Sequence, residues 1–409
     1  MKVHFKLAAK LATLLLFAFA TSITDDAASA DVTITVKSGD KPEVEVKPDA
    51  APPFNGIRPA VDVAILLDTS NSMDGLIDQA KTQLWTIVQQ FARAEKNGKT
   101  PQLRVSVFEY GNSGLPASEG YIRQAVQLTD DLDKISEALF SLKTNGGDEY
   151  CGTVIAEALK RLDWSSKDNS YKAIFIAGNE PFTQGSVDYR DACKSAIEQG
   201  VVINTIHCGN YNTGVSTKWK NGADLAEGEY MNIDQDRKTV HIETPHDEII
   251  IRLNAQLNKT YLWYGQDEDR EELARNQLAQ DSNAEGASPS SILNRSRSKA
   301  SSLYSFKGRD LVDTAEDDDS IVDELNESQL PDEMKSMTAE QRRAHVKNQA
   351  ATRKEIKAKI KEATAARDKF VALKKKEMAT ATGQATLGDA MTAAVGRQLQ
   401  SAGFKLNDQ

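Results

Sequence analysis

Cysteine is scarce: Cys151, Cys193 and Cys208 are the only three in 409 residues, too few for a disulfide-stapled scaffold. They suffice for one bridge in an oxidising compartment, with one thiol left over and three pairings open. None of them forms the close Cys-x-x-Cys pair of a metal–thiolate cluster. Long apolar runs are also missing beyond residue 30, which excludes a multi-span membrane protein. A basic excess is absent, because 50 Lys and Arg stand against 60 Asp and Glu for a net charge of −10. A nucleic-acid binder presents a basic surface, so no nucleic-acid partner is expected. With 24 Gly and 11 Pro the chain is neither collagen-like nor wholly low-complexity. What remains is a globular part with polar appendages.

The first residues carry a compartment signal. Lys2, His4, Lys6 and Lys10 lead into LATLLLFAFA and then into polar residues ending Ala28-Ser29-Ala30. This is the layout of a secretory signal peptide over 1–30 with a cut after Ala30; a cut after Ala20 is the second possibility, and an uncleaved anchor helix the third. No Cys follows the apolar run to take a lipid. The expected product is exported, periplasmic or extracellular, with no transmembrane span in the mature chain.

Residues 31–59 mix DVTITVK with prolines and charges and read as an extended arm. From 60 to 266 the text alternates strands such as VDVAILL, LRVSVFEY, KAIFIA and VVINTIH with amphipathic helices, the pattern of an α/β unit: a Rossmann-like, mainly parallel sheet wrapped by helices. TYLWYG at 260–265 reads as a further strand at its edge. Residues 267–337 hold the Ser-rich SPSSILNRSRSKASS and eleven acids between Asp310 and Glu333 without a Lys or Arg, and read as a linker. Residues 338–406 then read as a helical hairpin, coiled-coil-like, with a thin seam of Ile356, Ile360, Ala363, Phe370 and Leu373 answered by Leu387, Met391, Val395 and Leu399. Its first helix is strongly basic, so self-association with the acidic stretch, within or between chains, is expected.

The chemistry concentrates in LLDTSNSM, where the strand VDVAILL ends and a helix begins. Ligands of parallel α/β sheets bind at the carboxyl ends of strands. Asp68, Ser70 and Ser72 place a carboxylate and two hydroxyls at alternate positions of a tight loop, a hard-oxygen set suited to Mg²⁺, or to Mn²⁺ or Ca²⁺. Asp and Ser are equally ordinary helix caps.

A hydrophobic first strand, Asp68-x-Ser70-x-Ser72, an amphipathic helix and α/β alternation to about residue 260 resemble a von Willebrand factor type A (vWA) domain. The three residues match that family's metal-ion-dependent adhesion site. The resemblance implies a divalent ion on the upper edge of the sheet, with an open position for an acidic residue of a protein ligand. The second loop of the family carries a Thr; here Gly146-Gly147-Asp148-Glu149 offers Asp148 in one register and Glu149 in the other. Both acids also suit the positive N-terminal end of the following helix. The third loop departs further: the family's Asp falls on Gly178, and Asn179 or Glu180 is left to supply an oxygen. Gly178→Asp is expected to restore a ligand if the site lacks one acidic group, and to crowd the shell with little gain if Asp148, Glu149 or Glu180 already fills it.

Other chemistry finds no support. The second carboxylate of a dehalogenase-type phosphatase is replaced by Ser70, and no Gly-x-Ser-x-Gly elbow, His-Glu-x-x-His helix or phosphate loop occurs. His207 beside Cys208 points to the opposite face of its strand, against a catalytic dyad. The function expected is an exported, non-enzymatic binding protein with a degenerate adhesion site. A metal-free vWA scaffold whose C-terminal helices bind, and a metal-dependent hydrolase using the same loops, are the alternatives. Mass spectrometry of the protein from its own host should find the mature N-terminus at Asp31, or at Thr21; an intact Met1 in a cytoplasmic fraction contradicts export.

Overall fold

In the computed structural model VDVAILL lies in β1 (Ala60–Asp68), all nine residues of which are buried. Residues 58–73, 85, 88–166, 170–233, 241–378 and 387–407 are described. The expected signal peptide and nearly all of the arm at 31–59 lie outside them. After the two-residue β2 (Ala94–Glu95) come β3 (Gln102–Tyr110) and β4 (Ile122–Thr129), then α1 (Leu132–Ser141) and α2 (Cys151–Arg161). Next are β5 (Ser170–Gly178), α3 (Tyr189–Glu198), β6 (Val202–Cys208), α4 (Tyr211–Ser216), α5 (Trp219–Leu225), β7 (Tyr230–Ile233) and α6 (Asp247–Asn258). The sheet order is β4-β3-β1-β5-β6-β7. All pairings are parallel except β3 with β4.

Strand side chains alternate between faces, and both faces here are apolar. Val61, Val63, Ile65 and Leu67 belong to one core, together with Trp85, Val88, Phe91 and the inner faces of α1 and α6. Ala64 and Leu66 belong to the other, under α2, α3 and α5. A buried ion pair crosses the N-terminal ends of the strands: Arg104 meets both oxygens of Asp62 at 2.9 Å and also donates to Ser165 Oγ at 3.0 Å.

The segment expected as a linker is instead ordered. It forms α7 (Asp267–Ala287), α8 (Pro289–Lys299), α9 (Leu311–Ala315) and α10 (Ile321–Glu324). The Ser-rich tract is a capped helix: Ser288 accepts from the Ser291 amide, and Pro289 occupies the first turn. Its inward face is polar, which is why its composition suggests solvation. Arg295 is buried, pairing with Asp133 at 2.7 Å and Asp281 at 2.5 Å, and Lys299 meets Asp281 at 3.0 Å. TYLWYG adds no strand to the main sheet. Tyr261 and Trp263 stack with ring centroids 5.2 Å apart, and Trp263 makes a lone bridge with Asp310.

The C-terminal helices are α11 (Ala339–Met378) and α12 (Leu387–Ser401). They pack on the α/β unit rather than chiefly on each other, so the free-standing hairpin is corrected. Ile356, Ile360, Ala363, Met391, Val395 and Leu399 enter the same core as Val63 and Ile65. The Gln398 amide accepts from Tyr171 Oη at 2.6 Å and donates to Asn204 Oδ1 at 2.7 Å. β8 (Lys405–Leu406) pairs antiparallel with β2. Acidic stretch and basic helix meet within one chain: buried Arg353 holds Asp310 at 2.6 Å and Asp313 at 2.7 Å, and its guanidinium lies 4.0 Å from the Tyr261 ring centroid.

Leu399→Ala should therefore cost about 2–5 kcal/mol, and Arg353→Met about 3–5 kcal/mol by stranding two buried carboxylates, both read from urea unfolding. The fragment 338–406 alone should show a weak helical signal in circular dichroism. A stable helical fragment, or substitutions costing nothing, would contradict this packing.

Candidate functional site

β1 lies between β3 and β5: the chain first adds β3 and β4 on one side of it, then β5, β6 and β7 on the other. A crevice at such a switch point opens beyond the carboxyl ends of the strands, and Asp68 ends β1 there. In register it faces Tyr110, the last residue of β3. The backbone then turns sharply. Thr69 N donates to the Tyr110 carbonyl at 2.9 Å, and Asn145 N to the Thr69 carbonyl at 2.9 Å. Ser70 N donates to Asp68 Oδ1 at 2.7 Å. A single 3₁₀ turn, Asn71–Met73, follows and is anchored by buried Met73.

The three residues singled out in LLDTSNSM are brought together. Ser70 Oγ and Ser72 Oγ lie 2.8 Å apart, and Ser72 Oγ donates to Asn179 Oδ1 at 2.9 Å. Asn179 thus brings an amide oxygen from the third loop. In the second loop the two candidates separate. Glu149 is 4% exposed and turns inward to Asp68, whereas Asp148 is exposed and accepts from Tyr150 Oη at 3.1 Å. Asp148 therefore stands apart from the cluster, a correction to its candidacy. The Glu149 amide is fixed by Gln184 Oε1 at 2.7 Å.

Gly178 has no room for the missing aspartate. A Cβ there would lie 2.5 Å from Tyr110 Oη and 3.2 Å from Asp68 Cβ, so Gly178→Asp crowds the site instead of completing it. Tyr110 occupies that space, donating to the Ala177 carbonyl at 3.0 Å. Gly111 is equally constrained. Its φ is +77°, and a Cβ would meet Glu149 Cγ at 2.7 Å and Asp68 Oδ1 at 2.8 Å. Neither Tyr110 nor Gly111 is conspicuous in sequence; their signal is their place at the end of the strand that pairs with β1.

The electrostatics of the crevice are unbalanced. Asp68 Oδ2 and Glu149 Oε2 are buried without a hydrogen-bond partner among the described residues. Burial pushes Asp68 up to about 6, against the pull of the Ser70 amide. Burial, and then the facing Asp68 charge, push Glu149 up to about 9, with Glu180 adding further repulsion. No group of three His, Cys, Asp or Glu side chains converges among the described residues. The donors gathered here are two carboxyls, two hydroxyls and one amide oxygen. That set is hard and oxygen-only, and its orphaned oxygens fit a divalent cation.

The other reactive residues are packed away. His207 is buried 5.9 Å from Trp219, ring to ring, and burial lowers its pKa. Cys151, Cys193 and Cys208 are free and buried, which corrects the expected bridge. Cys208 belongs to the core on one side of the sheet, and Cys151 and Cys193 to the core on the other.

Residues 62–226 match the family model described as the von Willebrand factor type A domain. The chain carries a vWA domain. No curated protein matches its sequence. Solved structures of similar fold include proximal thread matrix protein 1 from the mussel byssus, 17% identical, with a TM-score of 0.33, covering 44% of this chain and 43% of that one. The same mussel protein is also known with zinc in its MIDAS motif. The VWA domain of SpRpn10 is 17% identical, with a TM-score of 0.34, covering 44% of this chain and 90% of its own. BatB from Bacteroides thetaiotaomicron is 13% identical, with a TM-score of 0.33, covering 55% and 100%. The present chain spans less than half the length of the mussel protein.

The raised pKa of Glu149 means that the folded vWA domain keeps a proton which the unfolded chain releases near 4.5. The stability tied to that proton is full below 4.5 and is lost as pH rises toward 9. In chelator, urea midpoints should fall between pH 5 and pH 9, and Glu149→Gln, which cannot ionise, should flatten the fall. Parallel declines in both proteins would contradict the assignment.

Proposed function

We propose that the vWA domain is the binding module of an exported, non-enzymatic protein, and that it captures an acidic group of a protein partner through a hard divalent cation. The observation that carries this reading is the buried Asp68–Glu149 pair, whose facing oxygens have no hydrogen-bond partner among the described residues. Asp68, Ser70, Ser72 and Glu149 would hold the cation, with Asn179 positioning Ser72. When bound, the cation supplies positive charge with room for one more oxygen ligand. Without it, Asp68 and Glu180 leave the crevice acidic and repel an acidic partner; a bound dication offsets that repulsion and offers the partner's oxygen a ligand position. Among the described residues no helix is long and apolar enough to cross a membrane. Export is inferred from the basic start, LATLLLFAFA and Ala28-Ser29-Ala30.

Groups that merely orient a ligand cost about 10–100-fold in metal affinity when removed. Asp68→Ala, which removes an ionised ligand, should lower Mg²⁺ or Mn²⁺ affinity by at least about 100-fold in calorimetry, with Ser70→Ala and Ser72→Ala milder. The same substitution, and chelator on the wild type, should abolish capture of the partner from an envelope extract. Capture that survives chelator would favour a metal-free scaffold, and failure of Mg²⁺, Mn²⁺ and Ca²⁺ all to bind would end the cation reading.

A further inference from the structure

A second cavity shares no residue with the Asp68 site. It measures about 360 Å³ and opens between the helical residues 88–92, the end of α8 with the turn after it, and α11. That volume lies within the roughly 300–1,000 Å³ of small-molecule sites. Ala300 and Ile360 give it apolar walls, while its charged lining among the described residues is of one sign: Arg93, Arg297 and Lys361.

Two polar atoms of the lining are buried and unpartnered, Nε of Arg297 and Oγ1 of Thr364. Thr364 is only 5% exposed, so its hydroxyl has left water without gaining a substitute. Arg297 keeps one ion pair, from a terminal nitrogen to Asp368 at 3.1 Å. Its Nε edge stays open to another acceptor. Arg93 is held beside it by a 3.1 Å bond from Nε to the Asn407 carbonyl, and its charge acts on Arg297. Cationic donors, an unpaired hydroxyl and an aliphatic wall make a site for a ligand with an anionic head and an apolar body.

We propose that this cavity binds a small amphiphilic oxyanion, a carboxylate or phosphate head on a short aliphatic chain. The head accepts from Arg297 Nε and the Thr364 hydroxyl, and the chain lies against Ile360 and Ala300. The test is calorimetric titration of the full-length protein in chelator, in an Asp68→Ala background, so that no cation at the other site can take up the head group. Octanoate and hexyl phosphate are the probes that distinguish the two head groups; octan-1-ol and inorganic phosphate test tail and head alone.

Saturable binding of octanoate or hexyl phosphate is expected, at least tenfold tighter than that of octan-1-ol or inorganic phosphate. Arg297→Met, which keeps the aliphatic stem, should weaken it by about tenfold or more. Thr364→Val, of nearly the same shape, should weaken it about threefold or more without lowering the melting temperature. No binding of either amphiphile, equal binding of octan-1-ol or of inorganic phosphate, or wild-type affinity in both variants would overturn the proposal.

Discussion

Everything in the described structure depends on β1 being buried along its whole length on both faces. A parallel strand in that position needs an apolar layer above and below it. One layer comes from neighbouring helices of the vWA domain. The other is completed by sequence more than 250 residues downstream, where Ile356, Ile360, Val395 and Leu399 join the core that contains Val63 and Ile65. The vWA domain and the C-terminal helices are thus parts of one folding unit. Arg295 and Arg353 act as keys of that closure, because each neutralises buried carboxylates contributed by other segments.

The same burial sets the chemistry of the crevice. Asp68 sits at the end of a strand with no solvent beside it, and Glu149 is turned toward it by a loop anchored on Gln184. Two carboxyls so placed hold a proton near neutral pH unless a cation replaces it. Tyr110 fills the space above Gly178, so the third loop contributes through Asn179 instead of an acid. The result is a compact oxygen set with the same number of carboxyls as the family's pattern implies, the second of them moved from the third loop to the second.

Much of this was legible beforehand. Apolar runs between amphipathic helices marked the main strands along the chain, and Asp68, Ser70 and Ser72 are close in sequence, so their convergence needs only one turn. Asp148 and Glu149 could not be separated by text, because a one-residue register shift decides which of them faces inward, and Gln184 settles it from a distant loop. The segment 267–337 was misread for a related reason. Alongside buried apolar residues such as Leu293, Leu311 and Met334, its inner faces carry Ser291, Arg295 and Lys299, and only the partners Asp133 and Asp281 reveal that such charges are inside. The C-terminal seam was visible, but α11 packs chiefly on α6 rather than on α12.

The claim on which the account turns is that the Asp68–Glu149 pair is a cation site. Anomalous diffraction at the manganese edge, from crystals grown in Mn²⁺, tests it most directly. The account predicts one strong peak within coordination distance of Asp68 and Glu149 carboxyl oxygens and a Ser70 or Ser72 hydroxyl. A crevice without a peak in crystals that bind Mn²⁺ elsewhere would contradict it.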